Sequence, residues 1–466
     1  MNLDTINFNE LCLETTHKVP IKTNTIVWSA YDGSLSATEY TLLATGVMGP
    51  ERNALGNHGA TILRAEWQSD AADVAQAIYF MNVYVYPNYR DPKSVAPMLW
   101  FPPLPPNAFH DADPAIRHTM TCLALGYRIC ALLAADSVNP SGLDDLRHVR
   151  TKVLYHRNLA IQALSSSIKD ERKRSRDSTL HSILMFLVVE IRQCASDWRH
   201  HFDGMTQLIN LRGGIQSFVT SQASLKSQRH LVHYCLFAAF GNTTCIASDM
   251  ARADFSPDQI DAIKEIYGNG LLSTCPCPPK LFLALVRINV LRSQATRSTV
   301  PMEGLQIQAL EMVSYIEMTT EADWAAENRA SGEGLLLLAS IYQSAIMVYC
   351  IAALQSVHVL GHSALLLATK EKHHKRLMGL LEHCLKSASL RGGMMKCTLW
   401  PLIIAGTGLR AGTGDDRLFL ERQLTETSAS LGSQLPLLGK TVLRSVWSSP
   451  HPHWDDWFDK PYLFLG

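Results

Sequence analysis

Apolar residues recur at helical spacing through most of the chain. Leu146, Val149, Val153, Leu164 and Ile168 mark one stripe. Leu180, Leu184, Leu187, Ile191 and Cys194 mark another, at steps of four, three, four and three. Trp198, Phe202, Met205 and Ile209 share a face, with Ser196 or Asp197 before them as the cap and Gly213-Gly214 after them as a left-handed stop. Asp113-Pro114 reads as a cap followed by proline at the first helical position, opening a helix to about Ala135. Ser256-Pro-Asp-Gln259 forms a capping box, and Gly268 closes the helix it starts. Further helices are expected near 278–293, 305–320, 335–354, 371–390, 394–410 and 415–431. No strand pairs are suggested past residue 110, so the pattern predicts an all-α body over residues 111–466.

Residues 1–110 read differently. Seven of the 21 prolines lie between Pro87 and Pro106, ending in Phe101-Pro-Pro-Leu-Pro-Pro106. Such a run has too few amide donors and too fixed a φ to be helical, and it predicts an extended connector or a packed strap. Upstream, Thr25-Ile-Val-Trp-Ser and the stretch 34–47 give no clear period, and Ala71 to Tyr84 suits a helix. No period of 30–50 residues repeats. The echo between Arg212-Gly-Gly214 and Arg391-Gly-Gly393 reads as two helices with the same stop.

Composition narrows the function. Lys+Arg and Asp+Glu balance at 42 each over 466 residues, so the basic surplus that drives phosphate binding is missing from the bulk of the chain. The first twenty residues carry Asp4, Glu10 and Glu14 without a basic and then apolar region, unlike a secretory signal. Eleven scattered cysteines fit reduced, buried thiols of an intracellular protein. Leu335–Leu354 is twenty residues without a formal charge, yet Ser340, Tyr342, Gln343 and Ser344 sit at its centre. A core helix is therefore expected there, and no membrane span.

Candidate chemistry is sparse. Cys275-Pro-Cys277 is a close pair among prolines and reads as a loop. His200-His201, His373-His374 and His451-Pro-His453 lack the i, i+4 spacing of a helical zinc pair. His374, beside Lys372, Lys375 and Arg376, is placed on a solvated face, and His201 is expected to hydrogen-bond near its helix start. Gly412-Thr-Gly414-Asp-Asp416 reads as a helix–helix loop with Asp415 or Asp416 as cap. The sequence carries no nucleophile elbow, P-loop, dinucleotide fingerprint or H-E-x-x-H, so neither an enzyme nor a cofactor or metal site is predicted. The basic run Lys169-Asp-Glu-Arg-Lys-Arg-Ser-Arg-Asp177 reads as a solvated interhelix loop, with a nuclear-import patch at Arg172, Lys173, Arg174 and Arg176 as the functional alternative.

Three stretches together resemble the fungal-specific transcription factor domain, the regulatory region that usually follows a zinc-cluster DNA-binding motif. The first is Trp198, His201, Gly204 and Arg212-Gly213-Gly214. The second is Trp400-Pro401 and Ala405-Gly406, followed by Asp416-Arg417, with Trp447 and Trp454 as closing tryptophans. The third is Tyr155-His-Arg-Asn-Leu-Ala160 to Leu164 with the helix after it. The likeness covers roughly residues 110–460. It implies an α-helical regulatory domain in the nucleus, pathway-specific, including control of secondary metabolism, with motif residues that are mostly structural. Before Cys122 the chain has one cysteine, Cys12, so the six-thiolate cluster is not within it. The expected partners are other transcription proteins, with a DNA-binding partner or a homodimer supplying DNA contact, and a small-molecule effector in an interior pocket is compatible. The competing class is a cytosolic helical enzyme or ligand-binding protein on a similar body.

Overall fold

The most apolar long helix, Gly332–Ser356, is apolar on every side because it runs through the middle of the protein. Of its apolar window, 83% is buried against other helices, as expected of a helix without a polar face. Its polar residues serve the neighbours. Gln343 Nε2 donates to the carbonyls of Ile316 and Thr319, both at 2.9 Å, capping the end of the helix before it. Tyr342 donates to the carbonyl of Cys397, and Ser340 accepts from Arg376. The polar centre that argued against a bilayer is thus a set of interhelix caps.

The computed structural model describes residues 70–85, 112–134, 140–193, 198–220, 225–251, 257–268, 277–297, 300–319, 332–387, 394–412 and 414–465, all within the unit Gln68–Gly466. Among these residues there are sixteen α-helices and no strand. In chain order they are α1 (Asp70–Phe80), α2 (Pro114–Ala134), α3 (Pro140–Lys169), α4 (Glu171–Arg174), α5 (Asp177–Arg192), α6 (Trp198–Leu211), α7 (Gly214–Thr220) and α8 (Leu225–Gly241). There follow α9 (Pro257–Gly268), α10 (Pro279–Arg297), α11 (Met302–Met318), α12 (Gly332–Ser356), α13 (Ala364–Lys386), α14 (Leu399–Thr407), α15 (Gly414–Leu431) and α16 (Leu435–Ser448).

Short connections make antiparallel neighbours of α2 and α3, of α12 and α13, and of α15 and α16. In the first pair His118 meets His156 and Cys122 Sγ reaches the carbonyl of Val153, which fixes the antiparallel register. The helix opened by Asp113 begins as its sequence says: Asp113 Oδ1 accepts from the amide of Ala115 at 2.9 Å. The stop of α6 also forms as expected, with φ of +95° at Gly213 and +78° at Gly214.

Some local readings are overturned. Helices α7, α8 and α16 were not foreseen. The stretch 394–410 splits into 3-10 turns on either side of α14. The basic run is not a plain loop, because Asp170 caps the one-turn helix α4 through the amides of Arg172 and Lys173. Asp415 and Asp416 lie inside the first turn of α15, where they face its positive end rather than capping it. Ser196, Asp197, Ser256, Cys275, Arg391 to Gly393, the proline run and the stretches 25–29 and 34–47 lie outside the described residues.

The helices converge on Arg292 of α10, whose side chain is fully buried. Its Nη1 donates to Tyr349 Oη and the carbonyl of Asn242, and its Nη2 to the carbonyl of Cys245 and, at 2.6 Å, to Asp455. Removing a buried guanidinium strands the groups it satisfied. Arg292→Leu should therefore cost about 3–5 kcal/mol, read as a lowered urea midpoint, while Arg297→Leu in the last turn of the same helix should stay within about 0.5 kcal/mol of wild type.

Candidate functional site

The motif tryptophans are packing anchors, each with a satisfied ring N–H. Trp400 stacks on Tyr342 at 6.2 Å and meets Phe240 edge-on at 5.2 Å, while its Nε1 donates to Thr243 Oγ1. Trp454 donates to the carbonyl of the same Thr243 at 2.7 Å. Trp198 donates to the carbonyl of Pro461, and Trp447 to that of Gly406. Burying such rings contributes large apolar area, and partnering the N–H removes the penalty of leaving a donor dry.

The motif glycines and their neighbours differ in role. A Cβ on Gly406 would sit 2.4 Å from Leu443, so α14 and α16 touch because that position is bare. Pro401 is buried in the first turn of α14, where a missing amide costs no hydrogen bond. Arg417 ties α15 back through the carbonyls of Leu409 and Arg410, its guanidinium 5.2 Å from the Trp447 ring centroid. Gly204 is half-buried on α6.

Two histidine readings are corrected. His201 is buried, edge-on to Phe186 at 5.1 Å and 3.9 Å from Glu190, which Arg157 holds in a bidentate pair. It belongs to a buried α3–α5–α6 network and does not decorate its helix start. His374 is also buried, with Nε2 at 2.8 Å from the carbonyl of Ala405, and Gly408 leaves the space for its ring. Adjacent cations suggested solvent, but the helix turns that side chain toward α14.

Arg172, Lys173 and Arg176 are exposed and Arg174 is half-buried, with Arg174 3.6 Å from Glu171 and Lys173 3.9 Å from Asp170. The eight described free cysteines are all buried. Burial pushes Cys235, Cys350 and Cys384 up to about 12, and Cys130 and Cys245 up to about 11. None of them offers a thiolate near neutral pH.

A polar joint fastens α1 to the α2–α3 pair. Asp73 is fully buried and accepts through Oδ2 from Lys152 Nζ and His156 Nε2, both at 2.9 Å. The Nδ1 atoms of His156 and His118 share a further hydrogen bond at 3.0 Å. Burial alone would raise Asp73, but the His156 and Lys152 hydrogen bonds outweigh it and hold the carboxyl below its usual range. Asp70, Asp73 and His156 offer ligand-type atoms within 4.8 Å of one another. The Lys152 ammonium already supplies the counter-charge, which disfavours a metal cation there.

Beside this joint lies a half-open cavity of about 270 Å³, near the small end of ligand-sized pockets. Leu123 and Ile129 of α2 and Val153 and Leu154 of α3 form its apolar walls. Among the described residues Arg150, Arg192, Gln193 and Gln434 provide its polar lining. Arg192 donates to Tyr127 Oη and lies 5.5 Å from that ring's centroid, so the guanidinium is held in place. Gly432, with φ of +56°, brings the α15–α16 turn against Tyr127, where a Cβ would lie 1.8 Å from the ring. The sequence did not reveal this group. Its members come from α2, α3, the end of α5 and the turn before α16, and of these the sequence marked only Val153, in the α3 stripe.

The described residues thus form a helical body with sealed tryptophans, buried thiols and a small cavity. The chain belongs to the fungal-specific transcription factor domain family, whose family model matches residues 93–461. It is 31% identical over 354 residues to the phomenoic acid biosynthesis cluster-specific transcriptional regulator of Leptosphaeria maculans. That alignment covers 75% of this chain and 65% of the relative, so the chain spans 65% of the relative's length. No solved structure matches the chain.

Stability should fall on acidification. Burial holds His118, His181 and His373 below the usual imidazole value. The unfolded chain therefore takes up these protons first, and stability present above the ordinary imidazole pKa is lost as the pH falls through it. The urea midpoint should drop between about pH 7.5 and about pH 5.5, and the drop should shrink in a His118→Asn, His181→Asn double variant.

Proposed function

We propose that this chain is the regulatory body of a pathway-specific transcriptional regulator that controls a secondary-metabolite gene cluster. The match over residues 93–461 carries the reading, and the similarity to a cluster-specific regulator makes it specific. The body spans residues 111–466, with α1 docked on it, and acts by binding rather than by catalysis. Trp198, His201, Gly204, Gly213, Gly214, Trp400, Pro401, Gly406 and Arg417 hold that body in shape. DNA contact comes through a separate DNA-binding partner, because the neutral charge balance gives this body, alone or as a homodimer, no phosphate-binding surplus. The protein works in the nucleus with other transcription proteins, and the exposed run at Arg172, Lys173, Arg174 and Arg176 serves import.

Chromatin immunoprecipitation of the tagged protein should enrich promoters of one gene cluster, and deleting the gene should change transcripts of that cluster about tenfold or more. A protein confined to the cytosol and absent from promoters would sink this reading. Replacing Arg172, Lys173, Arg174 and Arg176 with alanine should shift a fluorescent fusion toward the cytoplasm without lowering its melting temperature. Unchanged nuclear accumulation would remove the import role alone.

A further inference from the structure

We propose that Ser175 is a phosphorylation site for a basophilic serine kinase, and that its phosphate silences the basic run around it. The site stands on the residues themselves, while the silencing deepens the import reading and rests on it. Arg172-Lys173-Arg174 leads directly into Ser175, with Arg172 three positions before the hydroxyl. A kinase whose substrate groove is lined by carboxylates selects such a segment, because each cation upstream of the serine meets an opposite charge.

The structure singles out Ser175 among three neighbouring hydroxyls. Thr179 also has an arginine three positions before it, Arg176. Thr179 is buried, however, and its Oγ1 donates to the carbonyl of Lys173 at 2.7 Å. Ser178 is exposed but sits in the first turn of the 16-residue helix α5, so presenting it means unwinding that turn. Ser175 is exposed at the C-cap of α4, and Arg176 after it is already extended, with φ of −82° and ψ of 148°. α4 is a single turn of 4 residues, far below the length at which a helix is stable alone. Its ion pairs, Arg174 to Glu171 at 3.6 Å and Lys173 to Asp170 at 3.9 Å, are long and screened by solvent. The segment therefore opens into a kinase groove at low cost.

In the transfer Ser175 Oγ attacks the γ-phosphorus of ATP, the bond from that phosphorus to the β,γ-bridging oxygen breaks, and ADP leaves. The hydroxyl proton passes to the kinase's catalytic aspartate and from there to solvent. The run 169–177 holds five cations and three carboxylates, a surplus of two. A phosphate of about −1.5 to −2 at neutral pH cancels that surplus and offers three acceptor oxygens to the guanidiniums of Arg172, Arg174 and Arg176. Cations engaged in this way are withheld from an import receptor that reads them through its own acidic groups.

The test uses the full purified chain, the catalytic subunit of cyclic AMP-dependent protein kinase and magnesium ATP, with sites read by mass spectrometry. The peptide carrying Ser175 should gain one phosphate, and Ser175→Ala should abolish it. Arg172→Ala removes an exposed side chain, so its melting temperature should match wild type. It should nevertheless slow phosphorylation of Ser175 about tenfold or more. In cells, Ser175→Asp should lower the nuclear-to-cytoplasmic ratio of a fluorescent fusion about twofold or more, and Ser175→Ala should stay as nuclear as wild type. An unmodified Ser175, or a phosphate placed on Ser178 or Thr179 instead, overturns the site. A Ser175→Asp fusion as nuclear as wild type overturns the silencing when the four-alanine variant of the run leaves the nucleus. A four-alanine variant that stays nuclear sinks the import reading and the silencing with it, while mass spectrometry on purified protein still decides the site.

Discussion

Everything in the interior is arranged around one cation. Arg292 is buried away from water, so the N–H groups of its Nη1 and Nη2 are met by protein acceptors. The acceptors come from distant parts of the chain: the carbonyls of Asn242 and Cys245 after α8, the hydroxyl of Tyr349 on α12, and Asp455 near the C-terminus. Tyr349 passes the chain on by donating to Asn289, whose amide donates to the carbonyl of Ala239. Asp455 also accepts from the amide of Ala247, and its own amide donates to Ser356. A guanidinium has one geometry, and that geometry fixes where four segments end relative to one another. The network thereby specifies a unique core, whereas apolar burial alone would tolerate several packings.

The tryptophans complete what the arginine begins. Trp400 and Trp454 both address Thr243, one through its hydroxyl and the other through its carbonyl. The segment after α8 is therefore clamped between α14 and the C-terminal 3-10 turn. These family-like residues sit inside, with their donors satisfied, which leaves them scaffold positions and not contact positions. The charged and half-open features lie elsewhere, on the α2–α3 hairpin and on α4. The structure-holding residues and these charged, half-open features thus occupy separate parts of the body.

α1 is the element most open to such tuning. It is held by Asp73, Lys152, His156 and His118, a joint made of titratable groups rather than by the central network. Hydrogen bonds of this kind are directional and depend on the protonation of their members. The joint, the cavity beside it and the 432–434 turn share the α2–α3 hairpin as a wall, so events at one bear on the others through packed helices.

The sequence determined the class and the local grammar of this protein. Periodic stripes announced α3, α5 and α6, and Asp113-Pro114 and Gly213-Gly214 marked helix ends that the backbone then adopted. The polar centre of α12 pointed to a core helix before any neighbour was known, and 83% of its apolar window is buried. These signals are local, since capping and periodicity involve residues within one or two turns. The failures were equally physical. α8 is apolar on nearly every face from Leu231 onward and showed no clean stripe, whereas α16 carries one at Leu435, Val442, Leu443 and Val446 that only the short break at 432–434 obscured. His201 and His374 stood among charged neighbours in sequence, yet a helix points successive residues in different directions, and both rings turned inward. Nothing in the sequence around Arg292 sets it apart from other arginines. Only the tertiary structure decided that it is central and that Arg150 and Arg192 share a cavity wall, because both depend on contacts between residues tens to hundreds of positions apart.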